Sequence, residues 1–110
     1  MNDERLLVVE DEAGQRRLLA GLLAAEGYSV AEAGSVAEAV RELGRAPIDL
    51  VISDWRLPDG DGGALLARVP AQYPDLGFVM VTAYGTIARA VEAIRAGADD
   101  YLAKPFEAQA

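Results

Sequence analysis

The sequence predicts a doubly wound α/β domain built on a parallel sheet. Short apolar runs alternate strictly with longer stretches of helical periodicity, five of the former and four of the latter. The connections between successive strands are too long for hairpins, so the strands are expected to run parallel with helices on both faces. Size sets the third constraint: 110 residues make one small domain and leave no room for a second.

Each element has its own signal. Leu6-Leu7-Val8-Val9 is a continuous apolar run, as expected of a strand buried on both sides. Residues 13–26 read as a helix, with Leu18 and Leu22, and Leu19 and Leu23, stacked at i,i+4 and Gly27 as the stop. Tyr28 to Ala33 is more polar, which suits a sheet edge. Ser35-Val36-Ala37-Glu38 is a capping box, and the helix it opens is expected to bury Val36, Val40 and Leu43 and to stop at Gly44. Ile48 to Ser53 forms the third strand. A loop rich in Gly, Pro and Asp follows, then a short helix over 63–69 closed by Pro70 and Pro74. Leu76 to Val81 is the fourth strand. Ile87, Val91 and Ile94 mark a helix over 86–96 capped by Gly97, and Asp100 to Ala103 is the last strand.

A five-stranded domain of this kind wants a fifth helix to cover one sheet face. After Lys104-Pro105-Phe106 only four residues remain, too few for a stable helix. The expectation is a piece of a longer protein, or a face covered by another subunit.

Composition removes several function classes. Eighteen acidic against ten basic side chains give a formal charge of −8, which repels a phosphate backbone and an anionic membrane alike. Direct nucleic-acid contact is therefore not expected. Without Cys or His there is no disulfide, no thiolate site and no imidazole base or ligand. The charged N-terminus is no signal peptide, and no apolar run is long enough to span a bilayer. A soluble, cytoplasmic protein is expected.

Ligands of an open parallel sheet bind beyond the carboxyl ends of its strands. Glu10 and Asp11 follow the first strand, Asp54 the third, Thr82 the fourth and Lys104 the fifth. Three carboxylates on one rim repel one another. A divalent cation relieves that repulsion, and an all-oxygen set suits Mg²⁺. One carboxylate could then attack phosphorus, with Thr82 and Lys104 as donors to the anionic product. Phosphoryl transfer to a carboxylate is the reaction class this set suggests. Singly, each residue has a plainer reading. Asp11 or Asp54 alone is more often a cap or turn residue, a strand-ending Thr a cap, and Lys104-Pro105 a turn. Joint placement after four strands favours a site.

The same residues carry a family likeness. The chain resembles the receiver domain of two-component response regulators over nearly its whole length. The likeness lies in Val8-Val9-Glu10-Asp11-Glu12, Ser53-Asp54-Trp55-Arg56-Leu57-Pro58 with Asp61-Gly62, Val81-Thr82-Ala83-Tyr84, and Gly97 to Phe106. The segment Thr82 to Thr86, with Ala90-Val91-Glu92-Ala93, is most similar to receivers of the nitrogen-regulatory type, which precede ATPase and DNA-binding modules that activate transcription.

The resemblance implies a flavodoxin-like, five-stranded sheet in order 2-1-3-4-5, spanning residues 1–110 as one receiver domain with its fifth helix missing or truncated. It implies Asp54 as phospho-acceptor and Mg²⁺ held by Glu10, Asp11, Asp54 and the main-chain carbonyl of Arg56. Thr82 and Lys104 would contact the phosphoryl group, and Lys104-Pro105 would be a cis bond aiming the amine. Ala83 would leave the phosphoryl group access. Tyr101 would be the aromatic switch moving with Thr82, and Arg56 and Tyr84 would tune the lifetime of the phosphorylated form. The implied partner is a histidine kinase, with pairing of two copies as a further expectation. The implied activity is self-phosphorylation and its reversal rather than enzymatic turnover. Phosphorylation would shift a two-state equilibrium of the fourth helix and fifth strand.

The chain departs from many members in two respects: Glu10 stands where they carry Asp, and the larger departure is the absent fifth helix. Alternatives at this level are a non-phosphorylated binding module on the same face, a flavin-binding electron carrier and a hydrolase. Against the flavin carrier, Glu10-Asp11-Glu12 is acidic where a phosphate cradle needs neutral donors.

Overall fold

The computed structural model describes residues 4–54, 56–61, 63–65, 67, 76–82 and 100–103; at 61, 82 and 100–103 the description is of the backbone. In chain order the elements are β1 (Arg5–Val9), α1 (Ala13–Ala25), β2 (Ser29–Ala33), α2 (Val36–Arg45), β3 (Leu50–Asp54), β4 (Arg56–Leu57), β5 (Gly60–Asp61), β6 (Gly77–Thr82) and β7 (Asp100–Ala103). Residues 63–65 and 67 are helical, in line with the expected short helix. The expected helix over 86–96 and the question of a fifth helix after Ala103 lie outside the described residues.

Five strands form one sheet in the order β2-β1-β3-β6-β7, and each neighbouring pair runs parallel. Counted along the sheet strands alone, that is the 2-1-3-4-5 order of the doubly wound class. The small hairpin of β4 and β5 lies apart, pairing Arg56 with Asp61 and Leu57 with Gly60. The Gly, Pro and Asp content of this stretch predicts a loop and gives no sign of the paired residues.

Register explains the core. Because side chains alternate along a strand, aligned residues of parallel neighbours share a face. Ala31, Leu7, Val51 and Phe78 make one row across the sheet, and Ala33, Val9, Ser53 and Met80 make the next. Val36, Ala39 and Leu43 of α2, with Leu57 and Leu65, close over these rows. Val40 packs on the cluster but is only partly buried. Ser53 is fully buried amid the second row, and its hydroxyl is satisfied by donating to the Asp54 carbonyl at 2.9 Å. Leu6 to Val9 are all buried because β1 has a strand on either side and cover on both faces.

Three readings need refinement or correction. Leu18 and Leu22 mark the helix by their i,i+4 spacing but do not lie on its buried side: Leu18 is 64% exposed and Leu22 36%. Ala20 is the α1 residue that faces the sheet, and two residues in either direction rotate the helix by about 200°, toward solvent. Leu19 and Leu23, on the flanks of Ala20, are half-buried. Secondly, Asp54 and Thr82 end their strands instead of following them. The ladder continues one residue past the apolar run, aligning Asp54 with Val81 and Thr82 with Ala103. Thirdly, α2 runs to Arg45, Gly44 staying helical while the Ala46 amide still donates to the Glu42 carbonyl at 3.4 Å. Gly27 does end α1, with φ 99° and its amide on the Ala24 carbonyl at 3.0 Å.

Candidate functional site

The carboxyl ends of β1 and β3 are neighbours in the sheet, with Val9 aligned to Ser53. The next residue on each strand is therefore brought to the same place on the rim. Glu10, Asp11 and Asp54 each offer a carboxylate oxygen, and these oxygens all lie within 4.8 Å of one another. Glu10 is buried, Asp54 half-buried and Asp11 exposed, so the group grades from core to solvent.

Local bonds hold the acidic turn in shape. The Glu10 amide donates to the Ala33 carbonyl of β2 at 3.0 Å, and the Glu10 carboxylate accepts from the Glu12 amide at 3.2 Å. The Glu12 carboxylate turns the other way and caps α1, accepting from the amides of Gly14 (3.1 Å) and Gln15 (2.7 Å). On the β3 side, the Asp54 carboxylate accepts from the Arg56 amide at 3.3 Å, tying the acid to the start of the hairpin. Such a cluster of hard oxygen donors, open to solvent on one side, fits a divalent cation that keeps some of its water.

The sequence named further residues for this rim. Thr82 closes β6 one position beyond the residue aligned with Asp54, which places its backbone at the same edge. Tyr101 lies in β7, aligned with Met80. The side chains of Thr82 and Tyr101, and the whole of Ala83, Tyr84, Lys104 and Pro105, lie outside the described residues. The Arg56 side chain is exposed.

Reading the sequence alone missed Asp59. From the β4–β5 turn its carboxylate accepts from the amides of Val36 (2.7 Å) and Ala37 (3.0 Å), the first residues of α2. Hydrogen bonds from Ala37 and then Val36 hold its carboxyl below the ordinary value of 3.8. The hairpin comes close enough that a Cβ on Gly60 would meet Val36 Cγ2 at 3.3 Å. Pro58-Asp59-Gly60 signals a turn and nothing about a helix 23 residues upstream. Arg16 was missed too, although a cation one turn into the helix after three acids was a usable signal.

A family model, the response regulator receiver domain, matches residues 6–110. The chain belongs to the response-regulator receiver family. It is 42% identical over 105 residues, 96% of its length, to the transcriptional regulatory protein GlrR of Escherichia coli. It covers 24% of GlrR and 22% of the response regulator protein FleR, about a quarter of each, and 55% of the acid tolerance regulatory protein ActR. Among solved structures it is similar to a response regulator from Burkholderia pseudomallei with a phosphorylated aspartic acid, a calcium ion and citrate (34% identity, TM-score 0.90, 97% of this chain and 63% of that one). It is also similar to the beryllofluoride-activated NtrC4 receiver domain dimer (32% identity, TM-score 0.89, 96% and 87%). The expected likeness to the nitrogen-regulatory type is thereby met.

Receivers of this family take phosphate from histidine kinases and bind a divalent metal at an acidic pocket. Among the described residues, Glu10, Asp11 and Asp54 form an acidic cluster whose carboxylate oxygens are close enough together to hold a metal ion. No helix among the described residues is long and apolar enough to cross a membrane.

Proposed function

We propose that residues 1–110 are the receiver domain of a longer, cytoplasmic transcriptional regulator, and that Asp54 accepts a phosphoryl group from a histidine kinase in a Mg²⁺-dependent step. The observation that carries this reading is the meeting of Glu10, Asp11 and Asp54 within 4.8 Å at the carboxyl edge of a parallel sheet. Family membership, the length of the curated relatives and the phosphorylated aspartic acid of the Burkholderia neighbour support it.

Asp54 terminates a central strand, so its Cα is held by ladder bonds to β6 while its carboxylate reaches solvent. One of its oxygens attacks phosphorus as the donor's bond to phosphorus breaks, and the bonding pair leaves with the donor. Glu10, Asp11, Asp54 and the Arg56 carbonyl would hold Mg²⁺, which offsets the negative charge on the acids and the incoming phosphoryl oxygens. Thr82 and Lys104 are the proposed donors to the phosphoryl group. Arg56 and Tyr84 are proposed to set its lifetime. The response then passes through Thr82 to Tyr101 and the face formed by the expected helix over 86–96 and by β7, the fifth strand of the sheet. Pairing of two copies is part of the proposal, supported by the NtrC4 receiver neighbour being a dimer. The domain modifies itself once per signal and turns over no pool of substrate.

Labelling by acetyl phosphate should require Mg²⁺ and vanish in Asp54→Ala. Labelling that survives the substitution sinks the assignment.

A further inference from the structure

We propose that Arg16 is a positioning residue for the acidic rim: its guanidinium locks the Glu10–Asp11 peptide and thereby sets the affinity of the Glu10–Asp11–Asp54 group for a divalent cation. The inference rests on the phosphoryl-acceptor reading above and names a residue that reading does not use.

Arg16 stands in the second turn of α1 and reaches back across the acidic turn. Its Nη1 donates to the Glu10 carbonyl at 2.9 Å, and its Nε donates to Glu32 Oε1 of β2 at 3.1 Å. The carbonyl it holds belongs to the peptide that joins Glu10 to Asp11. With the Glu10 amide on Ala33 and the Glu10 carboxylate on the Glu12 amide, this residue is fixed at its nitrogen, its oxygen and its side chain. The Glu10 main chain cannot then shift without breaking a bond to β2 or α1, and its carboxylate is tied to the Glu12 amide.

The plainer reading is a surface ion pair with Glu32, worth little on its own. Two features point past it. The Arg16 side chain is only 19% exposed, and its shorter bond is to a main-chain carbonyl and not to the acid. In addition, Gly34 makes room for the reach: a Cβ there would lie 3.2 Å from Nη1. A planar fork can serve Glu10 and Glu32 together, whereas a lysine ammonium is a single point charge on a flexible stem.

Charge and geometry make opposite predictions, which isolates the role. As a mere cation near three acids, Arg16 would oppose Mg²⁺ binding, and its removal would tighten it. As a positioning residue, it favours binding. R16K keeps the charge and loses the fork. Gly34→Ala crowds the guanidinium at Nη1 without changing any charge.

The experiment is calorimetric titration of the whole chain with Mg²⁺, alongside thermal unfolding in chelator. R16K should weaken Mg²⁺ binding about tenfold, as loss of a group that orients a metal ligand does. Gly34→Ala should weaken it several-fold, and E32Q should leave it within about twofold, since the Glu10 carbonyl keeps its donor. Should R16K fail to fold, Gly34→Ala decides alone. Folded R16K that binds as well as the parent chain, or R16Q that binds more tightly, overturns the proposal and leaves the phosphoryl-acceptor reading standing. A parent chain that binds no Mg²⁺ overturns both.

Discussion

Helix α2 begins under caps from both near and far, whereas the cap described for α1 comes from its own neighbour, Glu12. At α2, the Ser35 hydroxyl accepts from the Glu38 amide at 3.1 Å and the Glu38 carboxylate accepts from the Gly34 amide at 2.8 Å. Asp59 adds two bonds from the hairpin, and Val36, Ala39 and Leu43 go into the core. At α1, Glu12 caps the helix, Ala20 is buried, and Leu18 and Leu22 face out. The two helices therefore divide the work. α2 is scaffold, pinned by packing and by a second segment of chain. α1 is held more lightly by its apolar face, and its first turns carry Glu12 and Arg16 beside the acidic rim. Apolar burial decides the stability of one, polar bonds to the site decide the placement of the other.

That division can be broken by substitution. Leu43→Ala leaves a hole beneath α2 and should cost about 2–5 kcal/mol in a denaturant titration. A loss no larger than that of an α1 surface substitution would erase the contrast.

Asp59 sharpens the comparison through pH. Its folded carboxyl lies below 3.8, so the stabilisation from its charged form is complete above its unfolded value and disappears as pH falls through the lowered folded value. Stability of the parent chain should thus fall faster than that of Asp59→Asn across the acid range just below pH 4. Equal slopes in unfolding curves collected through that range would mean that the two hydrogen bonds carry no net charge effect.

The smallest change is expected at Leu18. With its side chain largely in water, Leu18→Ala should move unfolding by no more than about 0.5 kcal/mol. A core-sized loss there would show that α1 buries this residue in solution.

Much of the architecture was legible because it depends on local pattern. The apolar run of Leu6 to Val9 needs two neighbouring strands, and Ser35 with Glu38 marks a helix start by chemistry acting within four residues. The acidic group was legible for a related reason. In a parallel sheet every strand ends on one edge, and the 2-1-3-4-5 order that the family resemblance implies sets strands one and three side by side, so the residues after them converge. The buried side of α1 was not legible, because i,i+4 spacing identifies a stripe but not which stripe faces the sheet; the small Ala20 took that place. Asp54 and Thr82 were set one residue too late, since ladder bonding follows the backbone past the last apolar side chain.

The order of the elements, the shared rim and the identity of its carboxylates were determined by the sequence alone, through periods and spacings that any chain of this pattern obeys. Tertiary structure decided that Asp59 caps a helix 23 residues upstream, that Arg16 spans from α1 to the Glu10 carbonyl and to β2, and which leucines meet water. Those bonds join segments whose separation is set by packing. A polar side chain has no period that announces its partner, so only the assembled core brings donor and acceptor within reach.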